Sequence, residues 1–106
     1  MDYKFLYSIG ADCDMDDEMK KVGANDFSTM MLALGTAQTY AKLGAILSKW
    51  YCMAHGGEAV TEEQFMLLPA GELDHLASAI NKAMADGQKQ EMKTKSKNAK
   101  GAAKSK

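Results

Sequence analysis

The 106-residue chain contains no arginine, so its thirteen cationic side chains are all lysines. Without guanidinium forks, bidentate clamping of phosphate or carboxylate is not open to it. There is no Gly-rich phosphate loop. The only two cysteines, Cys13 and Cys52, form no CxxC, so no disulfide framework is expected and a reduced, cytoplasmic protein is the simplest reading. The N-terminus is acidic and mixed, unlike a secretory signal. Long apolar runs are missing as well. The most apolar window, Met30 to Leu47, holds Gln38 and Lys42, too polar for a membrane span of about 20 residues. No membrane association is expected.

What is present is one long apolar stretch and a divided charge. Residues 26–55 contain no proline and no charge run, which predicts one central helix of up to about seven turns at roughly 3.6 residues per turn. Wound at about 100° per residue, Leu32, Leu43, Leu47 and Trp50 share one side, and Phe27, Met30, Leu34, Ala41, Ala45 and Cys52 lie nearly opposite. Only a strip with Gln38, Lys42 and Lys49 suits water. Such a helix demands cover from other elements or from a partner chain. Asn25 or Asp26 is suited to cap its start, and His55-Gly56-Gly57 to end it.

Around it, Tyr3 to Ile9 alternates aromatic and polar residues and reads as a short strand. Its edges need another strand, a second copy of the chain, or a path laid across the helices. Asp12, Asp14 and Asp16 open like an EF-hand loop, but Asp17 and Gly23 stand where that loop needs Gly and Glu. The better reading is a short helix through Met19 to Val22, capped by Asp14 or Asp16 and ended by Gly23. Thr61-Glu62-Glu63-Gln64 fits a capping box. Pro69 opens a further helix with Leu73, Leu76, Ile80, Ala83 and Met84 at helical spacing, expected to stop at Gly87. Leu73, Leu76, Ile80, Phe65 and Leu68 are expected to cover one side of the central helix. The result is a mainly α domain at 1–87 with two or three shorter packing helices. A Lys-rich tail at 88–106, without apolar periodicity, is expected to be disordered.

No constellation argues for an enzyme. Cys13, Cys52, His55 and His75 lack the paired clusters of a zinc site, and Cys52 with His55 has no recognisable orienting group or oxyanion element. Neither metal nor cofactor is expected. The small residues Ala37, Ala41, Gly44, Ala45, Ser48 and Cys52 form a ladder that admits a close helix, either the chain's own or a partner's. The candidate partner-binding residues are Met30, Leu34, Ala41, Ala45, Trp50, Tyr51, Met53 and Phe65. Met30, Met31, Met53 and Met66, among nine methionines, supply adaptable apolar contact. Residues 1–87 carry thirteen acids against six lysines, whereas residues 88–106 carry seven lysines against Glu91. The basic tail is therefore able to contact nucleic acid weakly and salt-sensitively. A small nucleic-acid-associated regulator is the alternative function.

The segments SIGADCD, SKWYCMAHGGE and VTEEQFMLLPAGELDHLASAINKAMADG together resemble small proteins of the tail-assembly-chaperone type, encoded in tail-gene clusters of phages and prophages of Gram-positive bacteria. The likeness spans roughly residues 3–87, most specifically KWY, HGGE and the T-E-E capped helix. It implies a mainly helical, non-enzymatic protein in the bacterial host cytoplasm that binds the tape measure protein, the tail tube subunit or both until the tube has assembled. Self-association is a further expectation.

Overall fold

A computed structural model describes the backbone of residues 2–99 and the side chains of residues 2–88. Its helices are α1 (Ile9–Lys21), α2 (Phe27–Leu34), α3 (Thr36–His55), α4 (Glu62–Met66) and α5 (Leu73–Ala99), with a 3-10 turn at Ala70–Glu72. The mainly helical class is as expected. Helix α3 is the centre: α1, α2, α4 and α5 all pack on it. Leu43, Leu47, Ala41, Met15, Phe65, Leu76 and Ile80 form the core.

The single helix expected over residues 26–55 is two. Gly35 ends α2 and precedes α3 with φ 92° and ψ 156°, a conformation open to glycine and closed to residues with a Cβ. Its N–H still bonds Met31 O at 2.7 Å, and Thr39 Oγ1 bonds Gly35 O at 2.8 Å. The break resets the helical phase, so Leu32 does not share the buried side of Leu43 and Leu47; it is 87 % exposed. Lys42, expected in water, is held between Glu62 (3.1 Å) of α4 and Glu18 (3.5 Å) of α1. The Glu62 carboxylate, through its hydrogen bond, raises the Lys42 pKa.

No strand forms among the described residues. Residues 2–8 run extended across the helices, the third of the paths open to them. Leu6 N–H donates to Leu47 O at 3.1 Å, Tyr3 stacks on Phe5 at 5.4 Å, and both rings lie about 6 Å from Phe65. Tyr3 Oη donates to Glu72 at 2.9 Å, pinning this strap to the turn before α5.

The acidic cluster lies inside a longer helix than expected. Ser8, not Asp14 or Asp16, caps α1, accepting from Ala11 N–H at 3.2 Å. Residues two apart on a helix turn by about 200°, so Asp12, Asp14 and Asp16 do not converge. Gly23, at φ 70°, ends the helix as expected. Asp26 caps α2 through Thr29 N–H (2.8 Å), and the Thr61–Gln64 capping box opens α4.

Pro69 precedes the 3-10 turn instead of opening α5 directly. Gly87 does not stop α5, whose backbone is helical to Ala99. A glycine is tolerated inside a helix at about 1 kcal/mol relative to alanine, and here its bare Cα is used. Gly87 is buried against the backbone carbonyl and side chain of Tyr7, which a Cβ would overlap. The Lys-rich tail expected to be disordered from residue 89 continues α5 in its backbone as far as Ala99; its side chains and residues 100–106 lie outside the described residues.

Two outcomes follow. Gly87→Ala raises helix propensity yet is expected to lower stability by about 1–3 kcal/mol, because the strap must move, whereas Gly71→Ala, with open space around it, is expected to be neutral or slightly stabilising; thermal melts of both variants check the sign. The Tyr3–Glu72 bond gives a pH signature. Burial, then the hydrogen bond and charge of Glu72, push the Tyr3 pKa from 10.0 to about 12, while the Tyr3 bond lowers that of Glu72. A raised pKa stabilises below the unfolded value and is lost through the folded one; a lowered carboxyl pKa stabilises above its unfolded value. The melting-temperature deficit of Tyr3→Phe is therefore expected to be full between pH 4.5 and 10.0. It should shrink as pH rises from 10.0 through about 12.

Candidate functional site

The small-residue ladder of α3 organises the side of the molecule on which an apolar groove opens. Gly44 lies beneath Phe65, whose ring would stand 3.1 Å from a Cβ there. Ser48 is buried, and its Oγ accepts from Val60 N–H at 2.8 Å. These contacts bring the loop after α3 back onto the helix and seat α4 across it. The ladder is thus covered mostly by the chain's own α4 and strap. At its N-terminal end the cover stops, leaving Ala37 and Ala41 as the floor of a groove.

The groove has a volume of about 230 Å³. Phe65 and Met66 of α4 form one wall, Leu73 and Leu76 of α5 another, and Leu68, Pro69 and Ala70 close the end between them. Phe65, Leu76 and Ala41 are buried, whereas Ala37 is open and Met66 is 53 % exposed. Leu67, adjoining the rim in sequence, is 84 % exposed. A short helix that buries Phe65 and leaves Met66 and Leu67 in water presents apolar surface that the fold itself does not use.

The structure distributes the eight candidate residues instead of gathering them. Ala41 and Phe65 line the groove, but both are almost fully buried. Met30 is fully buried and offers no surface. Leu34 is half-buried at the end of α2. Ala45 borders a separate, charged cleft between α1 and α3, with Asp14, Asp17, Glu18 and Lys49. Trp50 is an internal anchor: its ring lies over Gly10, and Nε1 donates to Asp14 Oδ2 at 2.8 Å. Lys49 binds the same carboxylate at 2.9 Å, and these bonds, Lys49 foremost, lower the Asp14 pKa. Tyr51 packs on His55 at 4.5 Å, and Met53 is exposed. The candidate set omitted Ala37, Met66, Leu68 and Leu73. The ladder position of Ala37, the methionine signal of Met66 and the helical spacing of Leu73 were visible, but not which neighbours would stop short of them.

No group of three or more His, Cys, Asp or Glu side chains among the described residues is placed to hold a metal ion. Cys13 and Cys52 are free thiols. No helix among the described residues is long and apolar enough to cross a membrane.

Because Ser48 holds the loop that seats α4, Ser48→Ala is expected to cost about 1–3 kcal/mol by leaving the Val60 amide without its acceptor. Hydrogen exchange should quicken first in α4 and the groove wall; uniform acceleration throughout α3 would contradict this role. No family model, curated protein or solved structure matches the chain.

Proposed function

We propose that this protein is a non-enzymatic assembly factor of the phage tail-chaperone type, which shields an apolar segment of the tape measure protein, of the tail tube subunit, or of both, during tail morphogenesis in the host cytoplasm. The observation that carries this reading is the open apolar groove beside the exposed Met66 and Leu67. A chaperone of this kind needs apolar surface that is available in the free protein and exchangeable on assembly. A flexible thioether at the rim adapts to more than one partner surface. The sequence resemblance over residues 3–87 supplies the choice of tail proteins as partners.

The alternative, a nucleic-acid-associated regulator, draws on the seven lysines at 88–106 against a body with seven excess acids. Binding by such a segment is governed by salt and is independent of sequence.

Co-expression with the tape measure protein is expected to yield a complex that survives high salt and is weakened by Met66→Asp. Separate elution at both low and high salt would overturn the proposal. In gel-shift assays with DNA and RNA, any binding is expected to be salt-sensitive and lost when the lysines at 89–106 are changed to glutamine. Tight binding that survives this change would place a nucleic-acid site on residues 1–87 and overturn the assembly-factor reading.

A further inference from the structure

We infer that residues 2–8 are a releasable strap: they lift from the helices as a unit while α1 to α5 stay folded, and so open the groove from behind Phe65. The release stands on the strap's own packing. Only its use, to widen a capture surface, rests on the assembly-factor reading.

The strap is held differently from every helix packed on α3. Each of those helices buries at least one apolar side chain: Met15 in α1, Met30 in α2, Phe65 in α4 and Ile80 in α5. The strap buries none to that degree; Tyr3, Phe5, Leu6 and Tyr7 are half-buried and Lys4 is exposed. It is tied at points. Leu6 N–H donates to Leu47 O at 3.1 Å, Tyr3 Oη to Glu72 at 2.9 Å, and Tyr7 Oη to Asp12. No strand pairs with it among the described residues, so no hydrogen-bond ladder resists its lifting. A segment with few buried apolar contacts opens at lower free energy than the core. The opening also has a built-in limit. Ser8 caps α1 through Ala11 N–H, and Ala11 and Met15 are fully buried, so α1 holds while the residues before it lift.

What lies beneath gives the release a consequence. The Tyr3 and Phe5 rings stand 6.2 and 6.0 Å from the Phe65 ring. With Ser48, Val60 and Phe65 they line a cavity of about 100 Å³. Phe65 is also a wall of the groove, and it is the residue common to both. The strap therefore backs the groove wall. Once it lifts, Phe65 has room to turn into the vacated space, and the two cavities join into one surface over the small-residue ladder.

The test is native-state hydrogen exchange on the full chain at rising, sub-denaturing urea. The Leu6 amide is expected to exchange at least about tenfold faster than those of Leu47 and Ile80, with a shallower urea dependence. Tyr3→Phe and Gly87→Ala touch the strap near its two ends, and each is expected to speed Leu6 exchange by about tenfold. Leu6 exchange as slow as that of Ile80, with the same urea slope, would overturn a separate opening. Unchanged Leu6 exchange in both variants would overturn release as a unit, showing that a single bond frays. A strap-released variant, Tyr3→Ser with Phe5→Ser, is expected to keep its helical circular dichroism and a cooperative melt, and to bind the apolar dye anilinonaphthalene sulfonate more strongly. Loss of the helices would overturn the inference, as would unchanged dye binding. This variant is also expected to capture more tape measure protein than the parent chain. Equal capture by both would overturn the gating of the groove. Capture by neither, with the expected exchange and dye results, removes the tail role and leaves the release standing.

Discussion

The burial of Leu43 and Leu47 on α3, at 1 % and 0 % exposure, is the constraint on which the rest of the fold depends. A helix of 20 residues that is apolar on most of its circumference has no stable free form in water, because each uncovered leucine forgoes roughly 1.5–3 kcal/mol. The cover comes from pieces too small to fold alone. Helix α1 contributes Ala11 and Met15, α4 contributes Phe65, and α5 contributes Leu76 and Ile80. The N-terminal strap fills the remaining gap with two stacked rings and one main-chain bond to Leu47. None of these elements has a reason to exist apart from α3.

Close approach is the second condition, and small residues meet it at three places. Gly10 admits the Trp50 ring, Gly44 admits Phe65, and Gly87 admits the Tyr7 backbone. Each lies within a helix, where glycine is unfavourable by propensity, so what favours it there is packing. The same geometry explains why Trp50 is not a partner anchor. Its face is occupied by α1, and its indole N–H by Asp14. Charged groups play a supporting part at the seams: Lys42 joins α1 to α4 across α3, and Lys49 joins α3 to α1.

The groove arises from the same economy of cover. Helix α4 is only five residues long and crosses α3 at Gly44, too short to reach Ala37. The 3-10 turn then carries the chain away to begin α5. The groove is a gap between short covering elements, walled by the buried Phe65 and Leu76 and rimmed by the exposed Met66.

Much of the fold was legible in local chemistry. The Asp26 cap, the Gly23 and Gly56 stops, the Thr61 capping box and the spacing of Leu76 and Ile80 all act over a turn or two of chain, and each stands where its residues imply. By itself the sequence determined a mainly helical domain arranged around one apolar helix. It also determined the division between an acidic body and a lysine-rich end. What only the tertiary structure decided were the matters settled by distant neighbours. Gly35 was free to continue a helix or to break it; the separate packing of α2 against α3 selected the break and left Leu32 in water. Gly87 was free to stop α5; contact with Tyr7, eighty positions away, selected a continuous helix. Tyr3 to Ile9 carried strand character, but helices were the surface on offer, so its aromatic rings packed without a ladder. The groove belongs to the same class. Ala37 and Leu73 carry no mark of a site until α4, the 3-10 turn and α5 are placed, because what makes the site is where covering elements end.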